Sequence, residues 1–442
     1  MNSQAWIDYA LKEGFGSFEI YEATRKEKNI TWYEGSRDTF VTSNFTGIAL
    51  RGIYKGKMLN FSTENTSDEE IPKTIELMKA QADAITSEDE EVLRSPEKNE
   101  EVKNPRTFKK ADSETVNSTL KEIEKKLKNY DERIIQVSDM EYTEQTQERH
   151  IVNSLGLEIK DSATINALFA SIAVQEGEDI KTDYDYVVIE DLKDIDADKF
   201  VETLANKTLS KLNATSLSSN SYPVIIDHKA MTMLFSVLSP VLFSGDLISK
   251  GISPLKDKLN TKIFSEKIKV IDNPRYSKSL NIYNYDDEGC PTREKVIVED
   301  GVFKEMLLDT KSANRVKKES TGNGFKNDYD SKVSVSPRNC YIEDGEKSFE
   351  ELLKDMNEGL VIDTLNGLHA GIDYATTNFS LQASGYYVKD GKKDHAVSLI
   401  TVAGNFLDMM KDVVEVANDT EWRLNSIATP SIYFKSLAIS GE

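Results

Sequence analysis

The chain has 442 residues and 38% hydrophobic content, and 76 Asp and Glu against 55 Lys and Arg give it a net charge of −21. This content predicts a globular protein of two or three domains, and the acidic charge argues against nucleic-acid binding, which needs a basic surface to meet phosphates. We find no apolar run long enough to span a membrane and no secretory signal at the N-terminus, so we expect a cytoplasmic protein.

The first 212 residues alternate between helical and strand patterns. Helices are predicted at residues 6–12, 67–82, 114–127 and 200–212. Strands are predicted at residues 18–23, 29–33, 38–44, 48–54, 57–62, 134–142, 148–153, 165–175 and 184–189, with a hairpin turn at Lys55 and Gly56. A stretch from 86 to 112, rich in Glu and Lys, interrupts the pattern and is predicted to be a surface loop.

Small polar residues between 213 and 221 mark a change in composition, and we place a domain boundary there. The predicted domains cover residues 1–219 and 220–442. The second begins with a strand at 222–227 and an apolar helix at 229–243, and a further helix is predicted at 349–357. Both domains are expected to combine a mainly antiparallel sheet with packed helices, so the predicted fold class is α+β.

Small residues, amides and hydroxyls crowd together at strand spacing between residues 366 and 408. This composition fits a sheet edge or a loop that another backbone approaches closely. We therefore select candidates for contact with a peptide or a partner chain in this stretch: Asn366, Gly367, His369, Asn378, Ser380 and Ser384.

That stretch, together with residues 47–51, 153–156 and 320–323, resembles the TldD/PmbA family in order and spacing. The family was once called modulators of DNA gyrase and is now viewed as proteases that process peptides. The resemblance implies a heterodimer of a TldD-type and a TldE (PmbA)-type subunit. In a TldD-type chain, a helix carries His-Glu-x-x-x-His and a Cys lies near the C-terminus, a ligand set that suits zinc with one position left for water.

The corresponding positions in this chain depart from that pattern. Counted back from residues 245–246, the two His slots fall on Ser236 and Val241, the Glu slot falls on Val237, and the Cys slot falls near Thr429. Valine has no donor atom, and neutral hydroxyls are poor zinc ligands. The resemblance therefore implies a TldE-type chain without catalytic residues or a metal of its own, with zinc expected only in a TldD-type partner.

Three functions stay open at this point. The first is a non-catalytic subunit of a TldD/TldE-type metallopeptidase complex that processes unfolded peptides, paired with a TldD-type zinc subunit or with itself as a homodimer. The second is a stand-alone homodimeric scaffold that binds peptides. The third is an autonomous hydrolase with an unrecognised site.

The remaining candidates have simpler interpretations. None of the four histidines pairs with another at helical spacing: His150, His228, His369 and His395. His228 is predicted to be a surface or helix-capping residue. Cys290 and Cys340 are interpreted as ordinary thiols, and residues 286–289 as a turn rather than a cation site.

Overall fold

The computed structural model describes residues 1–85 and 91–442. Its helices are α1 Ser3–Lys12, α2 Ile71–Ala80, α3 Ser113–Tyr130, α4 Ala197–Leu209, α5 His228–Phe243, α6 Gly245–Ser249, α7 Thr310–Val316, α8 Phe349–Met356 and α9 Phe406–Met409. Its strands are β1 Phe15–Tyr33, β2 Ser36–Tyr54, β3 Lys57–Thr63, β4 Ile134–Asn153, β5 Glu158–Glu176, β6 Asp179–Val188, β7 Asn220–Ile226, β8 Val270–Asp272, β9 Lys295–Glu299, β10 Val302–Phe303, β11 Gly324–Phe325, β12 Ser334–Val335, β13 Cys340–Ile342, β14 Gly359–Asn366, β15 Asn378–Lys389, β16 Lys392–Asn405, β17 Val413–Val416, β18 Ile427–Ala428 and β19 Ile432–Ser440.

The first six strands form one antiparallel sheet, the N-terminal sheet, in the order β3-β2-β1-β4-β5-β6. Its apolar residues lie in two groups, one toward each end of the long strands. Near one end, α1 and α2 cover Phe18 and Ile20 of β1. Near the other end, α3 and α4 cover Ile30 and Trp32 of the same strand. The middle parts of the long strands, between these two cores, carry mostly polar side chains.

The prediction of short separate strands in this region was wrong. Segments 18–23 and 29–33 belong to the single strand β1, segments 38–44 and 48–54 to β2, and segments 134–142 and 148–153 to β4. Hydrogen bonds to β2 and β4 on either side hold the middle of β1 extended, whatever its side chains are. Because the side chains there are mostly polar, the sequence lacks the alternation of apolar and polar residues that predicts a strand. The ladder of hydrogen bonds between the strands nevertheless continues.

The remaining predictions for the first half agree with the structure. The β2–β3 hairpin turns at Lys55 and Gly56, and the four helices form at the predicted places with small shifts of their ends. Residues 91–112 have no regular helix or strand, which confirms the predicted loop for that part. The first five residues of the predicted loop, 86–90, lie outside the described residues.

Six of the strands after residue 219 form the C-terminal sheet, in the order β16-β15-β14-β7-β19-β17. The β14–β7 pair is parallel, and an extra antiparallel pairing joins β16 to β19. These pairings close β16, β15, β14, β7 and β19 into a ring of hydrogen-bonded strands. Helix α5 contributes Phe235 and Leu238 to the main core beside this sheet, whereas Leu352 of α8 packs with Ile225 and Val361 in a separate cluster.

A smaller mixed sheet, β10-β9-β8-β13-β18, brings the short strand β18 beside β13. The whole architecture confirms the predicted α+β class. No described helix is both long enough and apolar enough to cross a membrane.

Candidate functional site

Helix α5 carries three of the four slots of the zinc motif, two for His and one for Glu. Asp227 caps it, because its side chain accepts a hydrogen bond from the Ala230 N–H at 2.8 Å. Most of the helix is buried in the main core, but residues at helical spacing remain partly or fully open to solvent. We call these residues the α5 face: Met233, Ser236, Val237, Pro240 and Val241.

The side chains of the α5 face do not fit a zinc ion. The Ser236 hydroxyl donates to the Met233 carbonyl oxygen at 2.8 Å, and the two valines have no donor atoms. Pro240 lacks the N–H that would otherwise bond to the carbonyl of Ser236. Within residues 1–85 and 91–442, no three His, Cys, Asp or Glu side chains gather into a group that could hold a metal ion.

The fourth slot, Thr429, lies against the same helix. Its hydroxyl is 3.1 Å from that of Thr232, and its N–H donates to the Thr232 hydroxyl at 3.0 Å. Thr429 is fully buried. The end of β18 therefore lies against α5, one turn before Ser236. The contact consists of the hydroxyls of Thr232 and Thr429, which lie within hydrogen-bonding distance of each other.

The beginning of α5 holds a compact ionic network. His228 forms ion pairs with Asp419 at 3.6 Å and with Glu421 at 3.4 Å. Burial alone would lower the pKa of His228, but the two carboxylates override it and raise that pKa to about 9. In turn, the hydrogen bond from His228 lowers the pKa of Glu421 to about 2. Burial raises the pKa of the neighbouring Asp227 to about 6.

This network connects α5 to the N-terminal sheet. Arg423 donates to Glu421 at 3.1 Å and to Asp185 of β6 at 2.7 Å. Asp419 accepts hydrogen bonds from both the N–H and the hydroxyl of Ser431, and the hydroxyl of Ser431 accepts from the N–H of His228. The predicted surface or capping histidine is therefore the half-buried first residue of the helix, held by carboxylates from a distant segment.

The predicted contact residues lie on and around β15. Asn366 ends β14, and Gly367 follows it with a φ of 81°, a conformation that favours glycine. A tight turn follows, in which the N–H groups of Ala370 and Gly371 bond to the Gly367 carbonyl. His369 lies in this turn and is exposed.

On β15, Asn378 and Ser380 are exposed and Ser384 is half-buried. Alternation along the strand places their side chains on one face, which also carries the exposed Gln382. Gln382 pairs with Asn366 across the ladder, so β14 and β15 extend the same polar face. The alternation would have identified Gln382 from the sequence. The structure brings the predicted contact residues together, except that Ser384 is less accessible.

The expectation of a sheet edge is wrong for β15. This strand pairs with β14 on one side and with β16 on the other. Its main-chain groups are therefore already used along most of its length, and a ligand would meet its side-chain face. The predicted loop is present between β14 and β15.

Buried charges between the N-terminal sheet and the following chain form a second candidate region, which the sequence did not indicate. We call it the charged cluster: Glu19, Arg51, Arg149, Asp287 and Glu288. Arg51 bonds to Glu19 at 2.5 Å and lies 3.6 Å from Glu288. Arg149 bonds to Asp287 at 2.6 Å and also to Asp161.

The predicted turn at residues 286–289 is confirmed, but it is buried. Asp286 accepts hydrogen bonds from the N–H groups of Glu288 and Cys290, and Gly289 has a φ of 83°. Burial raises the pKa of both Asp286 and Glu288, and the charge of Glu288 raises that of Asp286 further. Burial, followed by the charge of Asp286, raises the pKa of the Cys290 thiol to about 12, which makes it a poor nucleophile.

Comparison with known proteins shows that the chain is similar to one family along most of its length. Three family models match the chain: PmbA/TldA metallopeptidase domain 1 at residues 18–82, the central domain at 106–212 and the C-terminal domain at 219–441. The chain is 31% identical to the Escherichia coli protein named Metalloprotease PmbA over 291 residues, covering 66% of this chain and 62% of that relative. The chain thus matches less than two thirds of that protein's length.

Two solved structures resemble nearly the whole chain. TldE from Thermococcus kodakarensis has a TM-score of 0.89 and 25% sequence identity, covering 99% of this chain and 100% of TldE. A Thermotoga maritima protein described as a modulator of a DNA gyrase has a TM-score of 0.88 and 27% identity, covering 99% of each chain.

Proposed function

The chain belongs to the PmbA/TldD metallopeptidase family, and on that premise we propose that it is the non-catalytic, TldE-like subunit of a peptidase complex. A second, TldD-type chain holds the zinc ion and cleaves the peptide. This chain shapes the surface that receives unfolded peptides. The name of the Escherichia coli relative supports proteolysis as the activity of the complex, and the likeness to TldE supports the subunit type.

One observation carries the proposal. The α5 face presents Ser236, Val237 and Val241 where a TldD-type helix carries its ligands and its general base. Valine side chains can neither bind a metal nor move a proton, and the serine hydroxyl already bonds within the helix. The helix keeps its place in the fold while lacking metal-site chemistry.

Peptide contact is assigned to the polar face of β14 and β15. Asn366, Asn378 and Ser380 are exposed and carry amides and hydroxyls that can meet a peptide backbone without selecting its sequence. Gly367 and His369 extend this surface into the adjoining turn. Ser384 lies at its half-buried end.

The test is co-purification with the TldD-type chain of the same organism, followed by cleavage of a fluorescently labelled unfolded peptide. We expect the two chains to elute together and the pair to cleave much faster than the TldD-type chain alone. Equal cleavage with and without this chain would overturn the proposal. So would stoichiometric zinc bound to this chain when it is purified by itself, a result that would favour the autonomous hydrolase.

A pair of variants tests whether the polar face of β14 and β15 contacts the peptide. Ser380→Arg places a bulky charge on the exposed face of β15, whereas Thr182→Arg places one on the exposed part of β6. We expect only Ser380→Arg to slow cleavage by the complex. A homodimer that binds the labelled peptide but neither recruits a zinc subunit nor supports cleavage would favour the scaffold alternative.

A further inference from the structure

A cavity of about 390 Å³ lies between the N-terminal sheet and two later segments of the chain. One wall is formed by neighbouring strands of that sheet and includes Tyr21, Arg149 and Ala163. The opposite wall is formed by residues 281–287 and 325–338. This volume lies in the range of pockets that bind small molecules or short peptides. The cavity is separate from the α5 face and from the polar face of β14 and β15.

The opposite wall contains an arginine whose guanidinium lies over two aromatic rings. The guanidinium of Arg338 lies 4.3 Å from the ring centre of Phe325 and 5.9 Å from that of Tyr283. Its Nη1 donates to the Ser336 hydroxyl at 2.6 Å and to the Pro337 carbonyl at 3.1 Å. Stacking on Phe325 and these two bonds fix the plane of the guanidinium in advance.

Arg338 differs from Arg149, another partly buried arginine of the cavity lining, in its charge balance. Arg149, which also lines the cavity, is paired with both Asp287 and Asp161. Arg338 makes no ion pair with any of the described carboxylates, and its Nε and Nη2 groups have no hydrogen-bond acceptor among the described residues. A chain with a net charge of −21 thus keeps an uncompensated, pre-oriented guanidinium in the wall of a cavity.

The rest of the lining indicates which anion fits. The lining contains four cationic side chains, Arg25, Arg149, Lys326 and Arg338, and four carboxylates, Glu148, Asp161, Asp287 and Asp328, so it offers no net positive charge to a doubly charged phosphate. A single carboxylate instead matches one guanidinium in a two-bond arrangement. Amide side chains such as Asn104 and Asn284 can pair with peptide groups, and the rings of Phe45 and Tyr329 supply apolar area.

We propose that this cavity binds the C-terminal carboxylate of a short peptide, with Arg338 as the group that recognises the carboxylate. The choice of a peptide as ligand rests on the proposed function. The site itself belongs to this chain and requires neither zinc nor a partner subunit. It would retain a product or position the end of a substrate away from the zinc-bearing subunit.

Calorimetry on the isolated chain tests this with two probes, N-acetyl-Ala-Ala-Phe and its C-terminal amide. The free acid is expected to bind at least about tenfold more tightly than the amide, because only the acid forms charge-assisted bonds to Arg338. Equal affinities, or no binding of the acid at millimolar concentration, would overturn the proposal. Because the assay contains no zinc subunit, its failure would leave the co-purification test unaffected.

Two variants localise the binding. Arg338→Gln should abolish the preference for the acid, and Arg37→Gln should keep it, since Arg37 also lies over a phenylalanine ring, Phe40, but outside the cavity lining. Unchanged acid binding in folded Arg338→Gln would overturn the assignment. If that variant does not fold, Ala163→Leu decides the question by filling the cavity. Loss of binding in Ala163→Leu supports the site, and retention excludes it.

Discussion

The α5 face and the charged cluster differ in how many ionisable side chains they contain, and the sequence patterns at the two places do not predict this difference. The α5 face occupies the place where the family resemblance expects metal chemistry, yet no side chain in it is ionisable. The charged cluster contains five ionisable groups, and the sequence predicted only a turn there. Each of its charges has an opposite charge close by. The pKa values of Asp286 and Glu288 are raised by burial and by neighbouring carboxylates, so a perturbed pKa marks a buried acidic turn here and does not by itself identify a catalytic group.

The comparison is tested most severely by removing one member of the charged cluster. Arg51→Met would leave Glu19 and Glu288 buried without their common partner, and we expect a loss of about 5 kcal/mol in the free energy of unfolding. Urea denaturation measures this.

The matched control is Arg133→Met, because Arg133 also bonds to two carboxylates, Asp131 and Glu176, but at an exposed position. We expect a much smaller change for this variant, since water replaces a lost partner at the surface. Similar losses for the two variants would contradict the structural role assigned to the cluster.

The second prediction separates the two sides of α5. Phe235→Ala should cost about 3–4 kcal/mol, because Phe235 is fully buried against Phe243 and Phe406. Val241→Ala on the α5 face should cost less than about 1 kcal/mol. Thermal and urea unfolding of both variants provide the comparison. An equally large loss for Val241→Ala in the isolated chain would mean that the α5 face is covered.

The third prediction concerns pH. The raised pKa of His228 gives a stabilisation that is complete below pH 6.5 and is lost as the pH rises through about 9. After allowance for solvent, we expect a loss of about 1–3 kcal/mol between pH 6.5 and pH 9. The Asp227 carboxyl ionises in a lower window, near pH 6, and does not obscure this one.

His228→Gln should flatten the dependence of stability on pH above 6.5, whereas His395→Gln should not. His395 is exposed beside Asp394 and makes no contact with the network of α5. An unchanged pH profile in His228→Gln would show that the ion pairs to Asp419 and Glu421 contribute nothing to stability.

The smallest expected change in the free energy of unfolding is for a variant on the polar face of β14 and β15. Asn378→Ala removes an exposed hydrogen bond from Asn405 at 2.9 Å and should change the free energy of unfolding by less than about 0.5 kcal/mol. Cleavage by the complex should fall measurably. A large loss of stability with normal cleavage would assign Asn378 to the fold instead of to peptide binding.

Local patterns predicted much of the fold. Helix α3 was identified by its stripe of Val116, Leu120, Ile123 and Leu127, all of them buried. The pattern failed in the middle of the long strands, because neighbouring strands hold the main chain there without help from apolar side chains. The division at residue 219 stays a prediction, as do the absence of zinc from this chain and the identity of its partner.

The sequence by itself determined the family, the α+β class and the residue types at the former ligand slots, because these depend on order, spacing and side-chain chemistry along the chain. Only the tertiary structure placed Thr429 against α5 and joined His228 to Asp419. Only the tertiary structure paired Arg51 with Glu288 and left the Arg338 guanidinium without an ion pair among the described residues. These are contacts between segments far apart in the chain, and local sequence patterns carry no information about which distant charges meet.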